Sequence, residues 1–255
     1  MNRLHFVRYT GIFLVLLVIF LNVPYIRLTQ IFEYDDILRK PIGDVLTKFH
    51  AGGLQLILTW FTFGLSALLF IPASILLHKI IDRQGSPYLA IATAMGCLSG
   101  VLQAVGLMRW VFVVPLLANL YVDSVSSVAT REAVKVVYQA VHQYGGVVIG
   151  EHLGQTLLIG WTIGVGIAML RSPIFKRWVA WYGMMTTPML LIGQTELLAT
   201  AIPSILAIEL TPIGFILWEI WLLIVGFSLL LVSPAKLEHL DKFANPKPTK
   251  NNDHQ

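Results

Sequence analysis

The sequence predicts an all-α fold: a polytopic membrane helix bundle with about six transmembrane helices and short interfacial helices on its outer side. Three observations carry this reading. Of 255 residues, 56% are hydrophobic and 13% charged, whereas a soluble domain of this length carries about a quarter charged residues. Six apolar runs reach the roughly 18–20 residues that a hydrocarbon core demands. The basic residues gather in short connections beside those runs, which is a topology signal. The pI near 9.2 therefore points to no nucleic-acid partner; the partner implied is the lipid bilayer.

The first run, near 9–27, follows Arg3 and Arg8. The next residues, "NVPYIRL", contain no small-x-small cleavage pattern, so the run reads as a retained helix. In the connection "IFEYDDILRKPIGDVLTKFH", Pro41 can open a helix with Ile42, Val45, Leu46 and Phe49 on one face. The second run covers about 51–78 and ends in the tight, basic "KIIDRQGSP". The third, about 88–117, holds Cys97, the only cysteine, which rules out an internal disulfide or thiolate metal cluster. In "ATREAVKVVYQAV", Val134, Val137, Tyr138 and Val141 share a face. Both amphipathic stretches read as interfacial helices on the outer surface, either as plain connectors or as a lid over an outward pocket. The fourth run spans about 143–170. After "RSPIFKRW", with Trp178 and Trp181 as interface anchors, the fifth and sixth runs lie near 178–201 and 211–232. Residues 1–232 thus form one transmembrane domain. Residues 233–255, ending "FANPKPTKNNDHQ", read as a polar cytoplasmic tail with one short helix at most, then disorder.

Orientation follows from the basic residues. With the N-terminus inside, eleven face the cytoplasm: Arg3, Arg8, Lys79, Arg83, Arg171, Lys176, Arg177, Lys236, Lys242, Lys247 and Lys250. Six face outward: Arg27, Arg39, Lys40, Lys48, Arg131 and Lys135. This bias puts both termini in the cytoplasm of a cell-membrane protein.

The spans also contain groups that lipid disfavours: Arg109, Glu151, His152, Glu196 and Glu219. A charge at mid-membrane costs roughly 2.5–3.5 kcal/mol even on lenient scales. All five fall in the outer half of the bilayer, Glu151 and Glu219 each about 12 Å deep at 1.5 Å per residue. This coincidence predicts one polar layer, opening outward. One arginine can pair one carboxylate, and Glu151 is the expected partner of Arg109. The remaining carboxylates must be neutral, pair with His152, or hold a ligand, proton or cation. In an unbroken α-helix Gln155 shares the face of Glu151, and Tyr144 and Val148 extend that stripe; His152 points about 100° away. The ligand-binding candidates are thus Arg109, Glu151, His152, Gln155, Glu196 and Glu219. Gly146, Gly150 and Gly154, with Gly96 and Gly100 in the third span, mark close helix packing.

"GGVVIG" lacks the Lys-Ser/Thr of a phosphate loop, and there is no HExxH, CxxC or GxSxG. His50 and His142 both lie at outer helix ends and could meet, but no metal site and no cofactor is assigned. The stretches "GEHLGQ", "RSPIFKRWVAWYG", "GFILWEIWLLIVG" and "ILRKPIGDVLTKFHAGG" resemble the bacterial multi-pass family catalogued as domain of unknown function 4386, over most of the chain to about Leu231. The resemblance implies a bacterial integral membrane protein and brings no activity or site residue. The function expected is binding or transport of a small or lipophilic ligand in a carboxylate-rich outer pocket. Two alternatives stand beside it: an embedded enzyme using Glu151 and His152 as acid and base, and a structural or regulatory membrane protein. No internal repeat marks an inverted-repeat transporter.

Overall fold

A computed structural model describes residues 2–82 and 85–235. The tail beyond 235, and the helix and disorder expected there, lie outside the described residues. The rest is helical, with no strand among the described residues. The helices are α1 (Arg3–Phe32), α2 (Ile42–Leu68), α3 (Phe70–Ile81), α4 (Pro87–Phe112), α5 (Val114–Val122), α6 (Val128–Val141), α7 (Gly154–Arg171), α8 (Arg177–Ala199) and α9 (Thr211–Leu230). A 3-10 turn covers Asp36–Arg39, and a π-helical segment covers His142–Leu153. Among the described residues, five helical stretches are long and apolar enough to cross a membrane. The sixth, α8, is 23 residues long but carries Thr186, Thr187, Gln194, Thr195 and Glu196. The chain is a multi-pass helical membrane protein.

The helices form a ring in chain order, closed by α9 against α1. Small residues make the closest approaches. A Cβ on Gly11 would lie 2.7 Å from the Gly226 carbonyl, where α1 crosses α9. A Cβ on Gly106 would lie 2.5 Å from the Cα of Gly150, where α4 meets the π segment. Ser99 Oγ donates to the Gly154 carbonyl at 2.7 Å in the same seam. Lipid supplies no hydrophobic drive for helix pairing, so backbone proximity and buried polar bonds have to supply it.

The ring's two ends are filled differently. From mid-span to the end with short connections runs one buried cluster, in which Trp161, Trp218, Trp221 and Phe70 pack together. Trp218 Nε1 donates to Thr162 Oγ1 at 2.9 Å and Trp221 Nε1 to the Val179 carbonyl at 2.9 Å. At the long-connection end a second cluster stacks Trp60 on Trp110, 4.7 Å apart and 10° from parallel.

The amphipathic connections are continuous with the spans. The helix opened by Pro41 runs through Gly53, whose φ of 52° is a conformation that favours glycine, into the second span. It buries Val45, Leu46 and Phe49. Helix α6, capped by Ser127, runs directly into the π segment. It buries Val134 and Tyr138, while Val137 stays exposed.

Candidate functional site

The long-connection half of the ring encloses a cavity of about 400 Å³. Its wall includes Arg109 from α4, Glu151 from the π segment, Gln155 from α7, Glu196 from α8 and Glu219 from α9. Five of the six candidate residues thus come together. His152 does not line this space. Its Nδ1 meets Gln194 Oε1 at 2.6 Å, and Gln194 Nε2 donates to Gln155 Oε1 at 2.6 Å. This relay connects His152 to the cavity.

Arg109 is buried. Its Nη1 donates to the Gly106 carbonyl at 2.5 Å, Nη2 faces His142 Nδ1 at 3.4 Å, and the guanidinium lies 5.2 Å over Trp110. Glu151 Oε1 lies 3.9 Å from Nη2, a charge–charge contact beyond hydrogen-bond range. Arg109 Nε has no hydrogen-bond partner among the described residues. Glu151 keeps 32% of its side chain accessible, and the cavity is what it faces.

The π segment creates this arrangement. Glu151 lies nine positions after His142. In an α-helix that is about 900° of rotation, which leaves the two on opposite sides. A ladder closed i→i+5 takes more than four residues per turn, so about two turns return Glu151 to the side of His142. Gly146 lies between them, and any Cβ there would collide with the Arg109 guanidinium. Gly146 and Gly150 lack side chains where Arg109 and Gly106 press in, and glycine favours the α-helix weakly, which lets the turn widen. The α-helical stripe through Tyr144 and Val148 is therefore corrected. Tyr144 is 68% exposed, and the segment presents His142, Val147 and Glu151 to the cavity.

The connection after α1 roofs the cavity. Tyr34, Asp35, Leu38 and Arg39 line it. Tyr34 stands edge-on to Trp60 at 5.0 Å. Arg39 Nη2 reaches Glu196 at 3.1 Å and Glu209 at 3.2 Å, tying the roof to the end of α8 and the connection beyond it. The Glu33 carboxylate accepts from Lys40 and Lys48, which pulls its pKa down to about 2. Burial pushes the Asp35 carboxyl above its ordinary range, while a hydrogen bond from Tyr25 acts the other way. The wall beside this roof comes from α1, where Tyr25 Oη donates to Asp35 Oδ2 at 3.1 Å. Pro24 removes one helical amide there, and nearby Asn22 Nδ2 donates both to the Val18 carbonyl and to Glu219 Oε2, each at 2.9 Å.

Asn22, Tyr25, Tyr34, Asp35, Arg39 and His142 are wall residues that sequence reasoning missed. Asn22 was legible as a polar residue inside an apolar run beside Pro24. In the sequence Arg39 is one of six outward-facing basic residues and Asp35 one acid of a polar connection, so neither stands out. His50 and His142 have separate partners: His50 Nδ1 meets Asn119 Oδ1 at 2.9 Å, while His142 stacks on Tyr138 at 5.6 Å. Among the described residues, no three His, Cys, Asp or Glu side chains converge as metal ligands would.

A family model described as a domain of unknown function, DUF4386, matches residues 9–226, from the first span into the last. No curated protein and no solved structure matches the chain.

Proposed function

Because the chain belongs to this DUF4386 family, whose description assigns no activity, we propose its function from the cavity: it binds a small or lipophilic ligand in the outer half of the cell membrane. The chamber of about 400 Å³ carries this reading. It falls within the range of small-molecule pockets, and it combines apolar walls with a few convergent polar groups, as such pockets do. Both termini are cytoplasmic in this proposal, so the roof faces outward. Residues 1–232 hold the site and 233–255 form the tail.

Binding is favoured over passage. The tryptophan cluster fills the other half of the ring, so release to the inside would require that cluster to part. Acid–base catalysis draws less support, since the His152 ring is engaged by Gln194 and does not share the chamber with Glu151.

The test uses the tryptophans. Tyr34 joins the cavity wall to Trp60, so a ligand bearing a heavy atom should quench that cluster. Protein in nanodiscs titrated with 10-bromodecanol is expected to show saturable quenching, reversed by decanol. The same titration on Ala67→Phe, which places a ring in the chamber, should lose the saturable component. Quenching that rises linearly and equally in both proteins would overturn the proposal.

A further inference from the structure

Four carboxylates line the cavity, Asp35, Glu151, Glu196 and Glu219, against two guanidiniums, Arg39 and Arg109. The pairing is uneven. Glu196 is held by Arg39 at 3.1 Å, and Glu151 faces Arg109 at 3.9 Å. Asp35 and Glu219 have only neutral donors among the described residues: Tyr25 Oη at 3.1 Å for Asp35, and Asn22 Nδ2 at 2.9 Å for Glu219. Arg39 also acts on Asp35 by charge, but this one guanidinium is shared with Glu196 and Glu209, so the surplus of negative charge is on the α1 side.

That side is also aromatic. Tyr25 stands 5.9 Å from Tyr34 at 80° and 6.2 Å from Phe63 at 55°, and all three rings line the cavity. Ring faces attract cations, and quaternary ammonium groups in particular are recognised by such walls. A compact metal ion would need converging oxygen or nitrogen ligands, and the described residues gather no such set. The buried Arg109, whose Nε is unpartnered, sits across the chamber and repels a cation towards the α1 wall.

The cavity also reaches the lipid-facing surface. Ile216 lines it and is 57% exposed. Helices α1 and α9 touch backbone to backbone at Gly11 and Gly226. Further along, Leu21 and Asn22 of α1 and Phe215 and Ile216 of α9 line the chamber between them.

We propose that the wall of Asn22, Tyr25, Asp35 and Glu219 seats the ammonium head of an amphiphilic organic cation, with its alkyl chain leaving past Phe215 and Ile216 into the outer leaflet. This rests on the cavity reading above and adds the charge and direction of the ligand.

The test compares three probes of equal chain length in nanodiscs of neutral lipid: decyltrimethylammonium, decanol and decyl sulfate, each by titration calorimetry. The cation is expected to bind saturably and at least about tenfold more tightly than the other two. Glu219→Gln and Asp35→Asn should each weaken the cation by about tenfold and leave decanol unchanged. Glu132→Gln, on the surface of α6, should change nothing. Asp35 lies outside the spans, so its variant carries the test if Glu219→Gln fails to fold. Decanol binding as well as the cation, with both variants neutral, would overturn the cation assignment and leave the cavity reading standing. Saturable binding of none of the three would overturn both.

Discussion

Arg109→Ala is expected to destabilise the protein by about 3–5 kcal/mol, or to prevent folding, because it strands a carboxylate in a low-dielectric site. The guanidinium fills the space against Gly146, bonds the Gly106 carbonyl and faces both His142 and Glu151. Glu151→Gln on top of Arg109→Ala should recover part of the loss, since the double variant no longer leaves Glu151 charged without its arginine. The coupling is expected within about 0.5–3 kcal/mol, the range for residues in contact. Glu196→Gln and Glu219→Gln should give no rescue, because those carboxylates belong to Arg39 and Asn22. Thermal unfolding of the four variants and their doubles measures this. Equal additivity for all three glutamates would break the assignment of Glu151 to Arg109.

Gly106→Ala is expected to cost about 1–3 kcal/mol, the usual range for overpacking. Its new methyl group would sit 2.5 Å from the Cα of Gly150 and 3.0 Å from the Gly145 carbonyl. Both obstacles are backbone, so no side chain can swing away. The π segment would have to move off α4 and take Glu151 from Arg109. Gly145→Ala is the control: a Cβ there meets nothing within 4 Å, and it should stay within about 0.5 kcal/mol of wild type. A thermal midpoint for Gly106→Ala equal to that of Gly145→Ala would contradict the packing described.

Hydropathy made the bundle legible because each span must satisfy its own backbone in lipid. Arg109, Glu151, Glu196 and Glu219 stood out for a related reason: an ionisable group inside an apolar run has few places to go. Two features escaped that logic. Arg39 and Asp35 belong to a polar connection, where charge is unremarkable until the chain folds back over the ring. The π register also has no sequence period of its own. It emerges when α4 presses Gly106 against Gly150 and a guanidinium occupies the space at Gly146. An α-helical reading therefore chose Tyr144 and Val148 as neighbours of Glu151, and it left His142 to be considered as a metal ligand and not as part of the arginine's seat.

The register can be read directly by a cysteine scan from His142 to Gln155 in a Cys97→Ala background. An impermeant cationic thiol reagent is applied outside intact cells, with Asp36→Cys as the exposed control. Protected reactivity is expected at positions 142, 147, 151 and 155, slower than at position 36 and faster than at 152. Reactivity at 144 and 148 with 151 and 155, leaving 142 and 147 silent, would mean an ordinary α-helix, and Glu151 would then not face Arg109 beside His142. A scan silent from outside at every position would contradict the outward cavity itself.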